Sequence, residues 1–278
     1  MLSLSYNAAR ILAPLSIIYN VSAQIYGLLS VPNMKDVNDA NMSVFTPSAG
    51  LVALFFFPMQ VAMVVWAVRF WKVRGNGGGM GREGLGRDGE DMLGYAGVLV
   101  LGNACIGSWM FFWNASHLGL SNIFVLINLL AHISYLSTSL PPLRRASAPS
   151  LLTHIVAKTY TGISILDILH NTSAAYFVGV AAPVGFVKVL TGVFFAVAGA
   201  LSDWILGACL VYDLAAFSVG QRARTDADPA ASKAWSALLG AYMLGTAAVV
   251  VVKNLIRPPY AEDRGEYTRI QEVDENQG

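Results

Sequence analysis

The chain has 278 residues, of which 55% are hydrophobic and 13% charged, and its mean hydropathy is +0.54. A soluble domain carries roughly 25% charged residues, so this chain could not cover a water-exposed surface and is expected to lie in a lipid bilayer. Its net charge of +1 provides no basic surface for nucleic acid. Cys105 and Cys209 lie inside apolar segments, which indicates neither a disulfide framework nor a zinc site.

The first apolar segment has two interpretations. Arg10, the apolar run 11–18 and the small residues 21–23 resemble a cleavable signal peptide. The apolar stretch continues to Leu29, however, and is then long enough to span a bilayer. A retained first transmembrane helix is therefore predicted, with cleavage as the alternative.

Seven segments hold mainly apolar residues over about 20 positions, the length that a helix needs to cross the hydrocarbon core. They cover residues 8–30, 46–70, 93–113, 118–137, 151–177, 186–217 and 235–256. Continuous apolar runs such as 51–57 argue against the alternating pattern of a barrel strand. The predicted fold is all-α, a polytopic transmembrane helical bundle of about seven helices. The sixth segment is so long that it must tilt, protrude or break, which leaves six or eight helices open.

Two polar stretches lie outside these segments, one in a loop between the second and third and one at the C-terminal end. Residues 1–257 are predicted to form the transmembrane domain, in which a Gly-rich, charged loop at about 74–92 lies in the cytosol. Residues 258–278 begin with two prolines and are rich in charge, which predicts a disordered tail. Inside the second segment, Pro58 should kink the helix, and Gln60 is expected to satisfy the backbone groups that the kink frees.

Lysine and arginine set the predicted orientation, because cytosolic loops are enriched in them. Basic residues such as Arg82, Arg144 and Arg222 follow the second, fourth and sixth predicted helices. These loops and the N-terminus are predicted to be cytosolic, and seven helices would then place the C-terminus outside, against its own Arg257. Asn41 begins an Asn-x-Ser triplet in a predicted outer loop and is the candidate glycosylation acceptor.

The fifth predicted helix carries a polar face. Tyr160, Ser164, Asp167 and Asn171 recur at spacings of three and four residues, so their side chains share one side of the helix. His170 lies three residues from Asp167 and can contact it. Ionisable groups at the centre of a membrane helix cost at least roughly 2.5–3.5 kcal/mol, so this face needs either partners or a function.

The neighbouring predicted helices contribute further polar residues. Asn128 and His132 share a face of the fourth, and Asp203 of the sixth lies at about the same depth as Lys158 of the fifth. One interpretation is a ligand cavity or proton path between predicted helices four, five and six. The other is interhelical packing, in which hydrogen-bonded polar side chains hold the bundle together.

The four histidines do not predict a haem site. His117 and His132 are offset by about 60° around a helix, whereas His154 and His170 are offset by about 160°, so the second pair lies on opposite faces. A retinal protein needs a lysine deep in its last helix, and Lys253 is near the end of that segment. No grouping of nucleophile, histidine and acid is apparent. No cofactor, metal site or enzymatic activity is therefore predicted.

Three stretches resemble an uncharacterised family of fungal multi-pass membrane proteins, which is itself similar to the tryptophan-rich TspO/translocator-like proteins. They are residues 45–49, residues 108–113 with the helix 118–137 that follows, and residues 160–164 leading to 171–174. The resemblance to TspO-like proteins implies a tetrapyrrole or sterol bound in a helical bundle. The resulting hypothesis is a membrane protein that binds or transports a small or lipophilic ligand within the bundle, with membrane lipids as its other partners. The alternative is a structural or scaffolding membrane protein.

Overall fold

The computed structural model describes residues 4–73, 85–224 and 228–257. Within these residues the fold is all-α, with nine helices and no strand, which confirms the predicted fold class. The helices are α1 (Tyr6–Leu29), α2 (Met34–Ala40), α3 (Ala49–Lys72), α4 (Arg87–Asn114), α5 (Leu118–Thr138), α6 (Ala148–Tyr176), α7 (Gly185–Leu201), α8 (Trp204–Arg222) and α9 (Pro229–Ile256). Most of the Gly-rich loop and the whole charged tail lie outside the described residues.

Six helices, namely α1, α3, α4, α5, α8 and α9, are long and apolar enough to cross a membrane. The chain is therefore an integral, multi-pass membrane protein. The fifth predicted helix is α6, which has 29 residues. It carries more polar side chains than the six apolar helices and is not one of them. It packs against α3, α4, α5 and α8 and so lies at the centre of the bundle, where those side chains are buried.

The long sixth segment breaks into α7 and α8, one of the outcomes that its length allowed. Ser202 and Asp203 separate the two helices. The Asp203 carboxylate accepts a hydrogen bond from the Leu206 amide at 3.1 Å and caps the N-terminus of α8. Asp203 is therefore a helix-capping residue rather than a side chain in the middle of a membrane helix.

The break also reverses the chain. The Lys188 carbonyl near the start of α7 accepts from Tyr242, and the Ser202 carbonyl at its end accepts from Lys253, so α7 runs parallel to α9. The Ser236 hydroxyl donates to the Ser218 carbonyl near the end of α8, so α8 runs back along α9 in the opposite direction. Together α7 and α8 form a helical hairpin, of which α7, with 17 residues, is the shorter arm.

This reversal corrects the predicted loop positions. We call the end of the bundle that holds Ser5, Arg144, Asp203 and Arg257 the near end, and the opposite end the far end. Because α7 and α8 each traverse the bundle, Arg222 at the end of α8 lies at the far end, and not beside Arg144 as predicted. The last helix then returns the chain to the near end, so Arg257 lies on the same side as the N-terminus.

Candidate functional site

A cavity of about 490 Å³ lies between α1, α2, α3, α4 and α6. Ile25 and Leu28 of α1 and Phe57 of α3 line it, and these residues are 50%, 62% and 74% exposed. The cavity therefore opens sideways between α1 and α3, where the hydrocarbon of a bilayer would lie. This position differs from the predicted one, between α5, α6 and the α7–α8 hairpin.

Three polar side chains face this cavity without partners. The Asp167 carboxyl group makes no hydrogen bond or ion pair among the described residues; Asn171 Nδ2 donates to the backbone carbonyl of Asp167 at 2.9 Å and not to its side chain. Within the same residues, His170 Nε2 and both polar atoms of the Gln60 amide are buried without a hydrogen-bond partner. The expected hydrogen bond between Asp167 and His170 is therefore not formed, and the imidazole instead packs against Trp113, with ring centroids 5.2 Å apart.

The rest of the cavity wall is mainly apolar. Val52 and Phe56 of α3 and Leu166 of α6 contribute hydrocarbon surface around the polar groups. A buried polar group left without a partner costs about 1–3 kcal/mol, so three such side chains around one cavity are destabilising for the empty protein. An apolar cavity with a few convergent polar groups is the usual form of a small-molecule site.

The short helix α2 closes the far end of the cavity. Its Met34 carbonyl accepts a hydrogen bond from Trp113 Nε1 at 3.1 Å, which ties α2 to α4. Lys35 lines the cavity and forms an ion pair with Asp39. The hydrogen bond to Asp39 and its negative charge raise the pKa of Lys35 above its ordinary value, so the ammonium at this end stays charged.

The other residues of the predicted polar face form a packed network. Tyr160 donates to Asn103 Oδ1 at 3.1 Å, and Asn20 donates to the same oxygen at 2.9 Å. Asn128 Nδ2 donates to Ser164 Oγ at 2.6 Å. These five side chains are buried and connect α1, α4, α5 and α6, which is what the interhelical packing interpretation expects.

His132 and Asn171 also belong to the packed interior. His132 Nδ1 lies 3.0 Å from the Asn128 carbonyl, and Nε2 lies 3.3 Å from the Tyr95 hydroxyl. Asn171 Oδ1 accepts from Trp109 Nε1 at 2.6 Å. The predicted face therefore divides into two parts, since Asp167 and His170 line the cavity and the remaining residues hydrogen-bond within the bundle, where Asn128 Oδ1 alone of their side-chain atoms is buried without a partner in the described residues.

The predicted pair between Lys158 and Asp203 is formed. The two side chains make an ion pair, and Lys158 Nζ also lies 2.7 Å from His154 Nδ1. This cluster lies at the near end, nine residues or about 13 Å along α6 from Asp167. It lines a separate cavity of about 580 Å³ and is not part of the first one.

Sequence reasoning missed Gln60 as a site residue. It assigned the Gln60 amide to the backbone groups freed at Pro58, but both polar atoms of the amide are buried without a hydrogen-bond partner within the described residues, and Gln60 is one of the residues that line the cavity. Asp213 on α8 is a further buried carboxyl group whose two oxygens have no hydrogen-bond partner in the same residues. Asp213 was apparent from the sequence as an ionisable residue in the sixth predicted segment, and a single polar side chain in an otherwise apolar stretch is the signal that could have found Gln60 as well.

Asn41 lies at the far end, at the C-terminus of α2, where its Nδ2 donates to the Val37 carbonyl at 2.8 Å.

In the described parts of the chain, no group of three or more His, Cys, Asp or Glu side chains could hold a metal ion. No protein-family model matches the chain, and no curated protein or solved structure shows significant similarity to it. The inference of function therefore rests on the cavity and its polar side chains.

Proposed function

We propose that the protein is a non-enzymatic membrane protein that binds a small lipophilic ligand in the cavity between α1, α3 and α6, and carries or presents it within the bilayer. One observation supports this most strongly: Asp167, His170 and Gln60 line a single, largely apolar cavity, and none of the three side chains has a hydrogen bond that satisfies it within the described residues. Ionisable side chains inside a membrane domain are costly and generally mark a substrate or ion pathway. The sideways opening gives a ligand dissolved in the bilayer direct access.

The cavity wall indicates the chemistry of the ligand. Apolar side chains require a hydrocarbon body, and the Asp167 carboxyl group requires a hydrogen-bonding polar group at one end. Of the two ligand types that the TspO-like resemblance implies, a sterol with one hydroxyl matches this wall better than a tetrapyrrole, whose carboxylates would face Asp167.

The alternative, a structural or scaffolding membrane protein, is favoured by the packed network around Asn103 and Tyr160. That network explains most of the polar face without any ligand. It does not extend to Asp167 or Gln60, which make no such bonds in the described residues. The alternative therefore leaves Asp167 and Gln60 without a role.

We also propose that the near end faces the cytosol. Arg69, Lys72, Arg87, Arg144 and Arg257 all lie at that end, and cytosolic ends of membrane helices are enriched in basic residues. The eighth traverse, created by the hairpin at Asp203, removes the conflict between Arg257 and an outer C-terminus. Asn41 would then lie on the outer side.

The ligand hypothesis is tested by thermal unfolding of the detergent-purified protein with a sterol, a long-chain alcohol and a long-chain amine. A ligand that binds only the folded state raises the unfolding temperature. We expect at least one of these compounds to do so, and the alkane of the same chain length, which has no polar group, to act more weakly. No shift with any of the three compounds would favour the scaffolding alternative.

A further inference from the structure

The second cavity, at the near end, has a charged inner wall and an apolar outer rim. Its volume is about 580 Å³, and it lies between α5, α6, the α7–α8 hairpin and the end of α9. Ile133, Phe194 and Leu201 line its outer side and are 43%, 43% and 80% exposed. The cavity therefore opens onto the region where a bilayer would lie, close to the membrane surface.

Most of the charge on the inner wall is internally compensated. Lys158 forms an ion pair with Asp203 and lies 2.7 Å from His154 Nδ1. An ammonium can only donate, so Nδ1 is the acceptor and the imidazole is neutral. Its proton is on Nε2, which donates to the Pro141 carbonyl at 2.9 Å. This part of the wall has no net charge.

Lys253 leaves the wall with one uncompensated positive charge. It lines the same cavity, and its Nζ donates to the Ser202 carbonyl at 2.8 Å and to Asn254 Oδ1 at 3.4 Å. Both acceptors are neutral, and no carboxylate in the described parts of the chain forms an ion pair with Lys253. A half-buried ammonium with neutral partners attracts an anion.

We infer that this cavity binds an anionic bilayer lipid, with the headgroup phosphate on Lys253 and an acyl chain along the apolar rim formed by α5 and α7. Charge complementarity favours an anion over a zwitterion, and the sideways opening favours a ligand that arrives from the bilayer. Basic pockets between transmembrane helices near the membrane surface are a recurring form of lipid headgroup site. This site is independent of the ligand site proposed above, because it lies in a different cavity and binds an anion through a lysine, whereas the polar end of the first cavity is the carboxyl group of Asp167.

The test is a binding titration of the full chain in neutral detergent, read by native mass spectrometry and by thermal unfolding. The probes are short-chain phosphatidylglycerol, phosphatidylcholine with the same chains, and inorganic phosphate. We expect phosphatidylglycerol to bind about fivefold more tightly than phosphatidylcholine, since one lysine near a membrane surface attracts an anionic lipid by about that factor. Lys253→Met should abolish the preference, and Lys253→Arg should retain it.

Lys233→Met is the matched control, because Lys233 is an exposed lysine at the opposite end of the same helix. It should leave the preference unchanged. Ala198→Trp, which fills the cavity without changing its charge, should weaken phosphatidylglycerol binding. Equal binding of the two lipids by the native chain would overturn the inference, whether or not the Lys253 variants fold. A Lys253-dependent shift with inorganic phosphate alone would overturn the lipid assignment in favour of a soluble anion.

Discussion

His132 lies flat against Tyr160 at the centre of the bundle, with ring centroids 4.4 Å apart and planes inclined by 9°. The stack joins α5 to α6, and the Tyr160 hydroxyl extends the connection to Asn103 on α4. His132 Nδ1 is engaged by the Asn128 carbonyl of its own helix. These polar side chains therefore hold three helices together.

Tyr160→Phe is expected to lower the free energy of unfolding by about 0.6–1.7 kcal/mol, the range of a hydrogen bond between membrane helices. The ring still stacks on His132, and only the hydrogen bond to Asn103 is lost. Chemical denaturation of the purified variant measures this. Tyr26→Phe is the control, because the Tyr26 side chain is 47% exposed, and it should be silent. Equal stability of both variants would contradict the structural role of Tyr160.

Gly102→Ala should also destabilise the bundle, through packing. A Cβ at Gly102 would lie 2.5 Å from His132 Cε1 and 2.8 Å from Asn128 Oδ1, so the stacked pair would have to move. Overpacking of this kind costs about 1–3 kcal/mol. Gly94→Ala on the same helix meets nothing within 4 Å and should not lower stability. If the unfolding midpoints of Gly102→Ala and Gly94→Ala are equal, the His132 and Asn128 side chains can move aside without cost and this prediction is wrong.

The sequence was sufficient to predict the helical bundle because hydropathy over about 20 residues is a strong, local signal. It was not sufficient to find the hairpin between α7 and α8. There the apolar run is nearly continuous, and the reversal depends on one capping residue, Asp203, which reads in isolation as a charge within a helix. Because this reversal was not predicted, Arg222 was assigned to the wrong end of the bundle.

The candidate site was predicted in part for a similar reason. Spacing along α6 predicts that Tyr160, Ser164, Asp167 and Asn171 share one side of the helix, but it cannot show which neighbouring helix each side chain faces. Asp167 faces the cavity beside α1 and α3, whereas Ser164 faces Asn128 of α5. Three-dimensional packing, which periodicity does not encode, separates the ligand site from the packed network.

Membrane topology gives a third prediction. Cysteines introduced singly at Asn41 and Ala230, both at the far end, should react with an impermeant thiol reagent from the same side of the membrane. A cysteine at Ala146, at the near end, should react only from the opposite side. The native Cys105 and Cys209 are buried and provide a low background. Labelling of position 230 together with position 146 would contradict the hairpin at Asp203.

Asp167→Leu provides the sharpest test of the ligand site. The carboxylate lines the cavity without a partner in the described residues, and an unpartnered membrane carboxyl is costly. The variant should therefore unfold at the same or a higher temperature without ligand, yet lose the ligand-induced shift. Asn128→Leu, which breaks the bond to Ser164, should lower stability by about 0.6–1.7 kcal/mol and keep the shift. Thermal unfolding with and without ligand measures both effects. If Asp167→Leu is destabilised like Asn128→Leu and still responds to ligand, Asp167 is a packing residue and the ligand lies elsewhere.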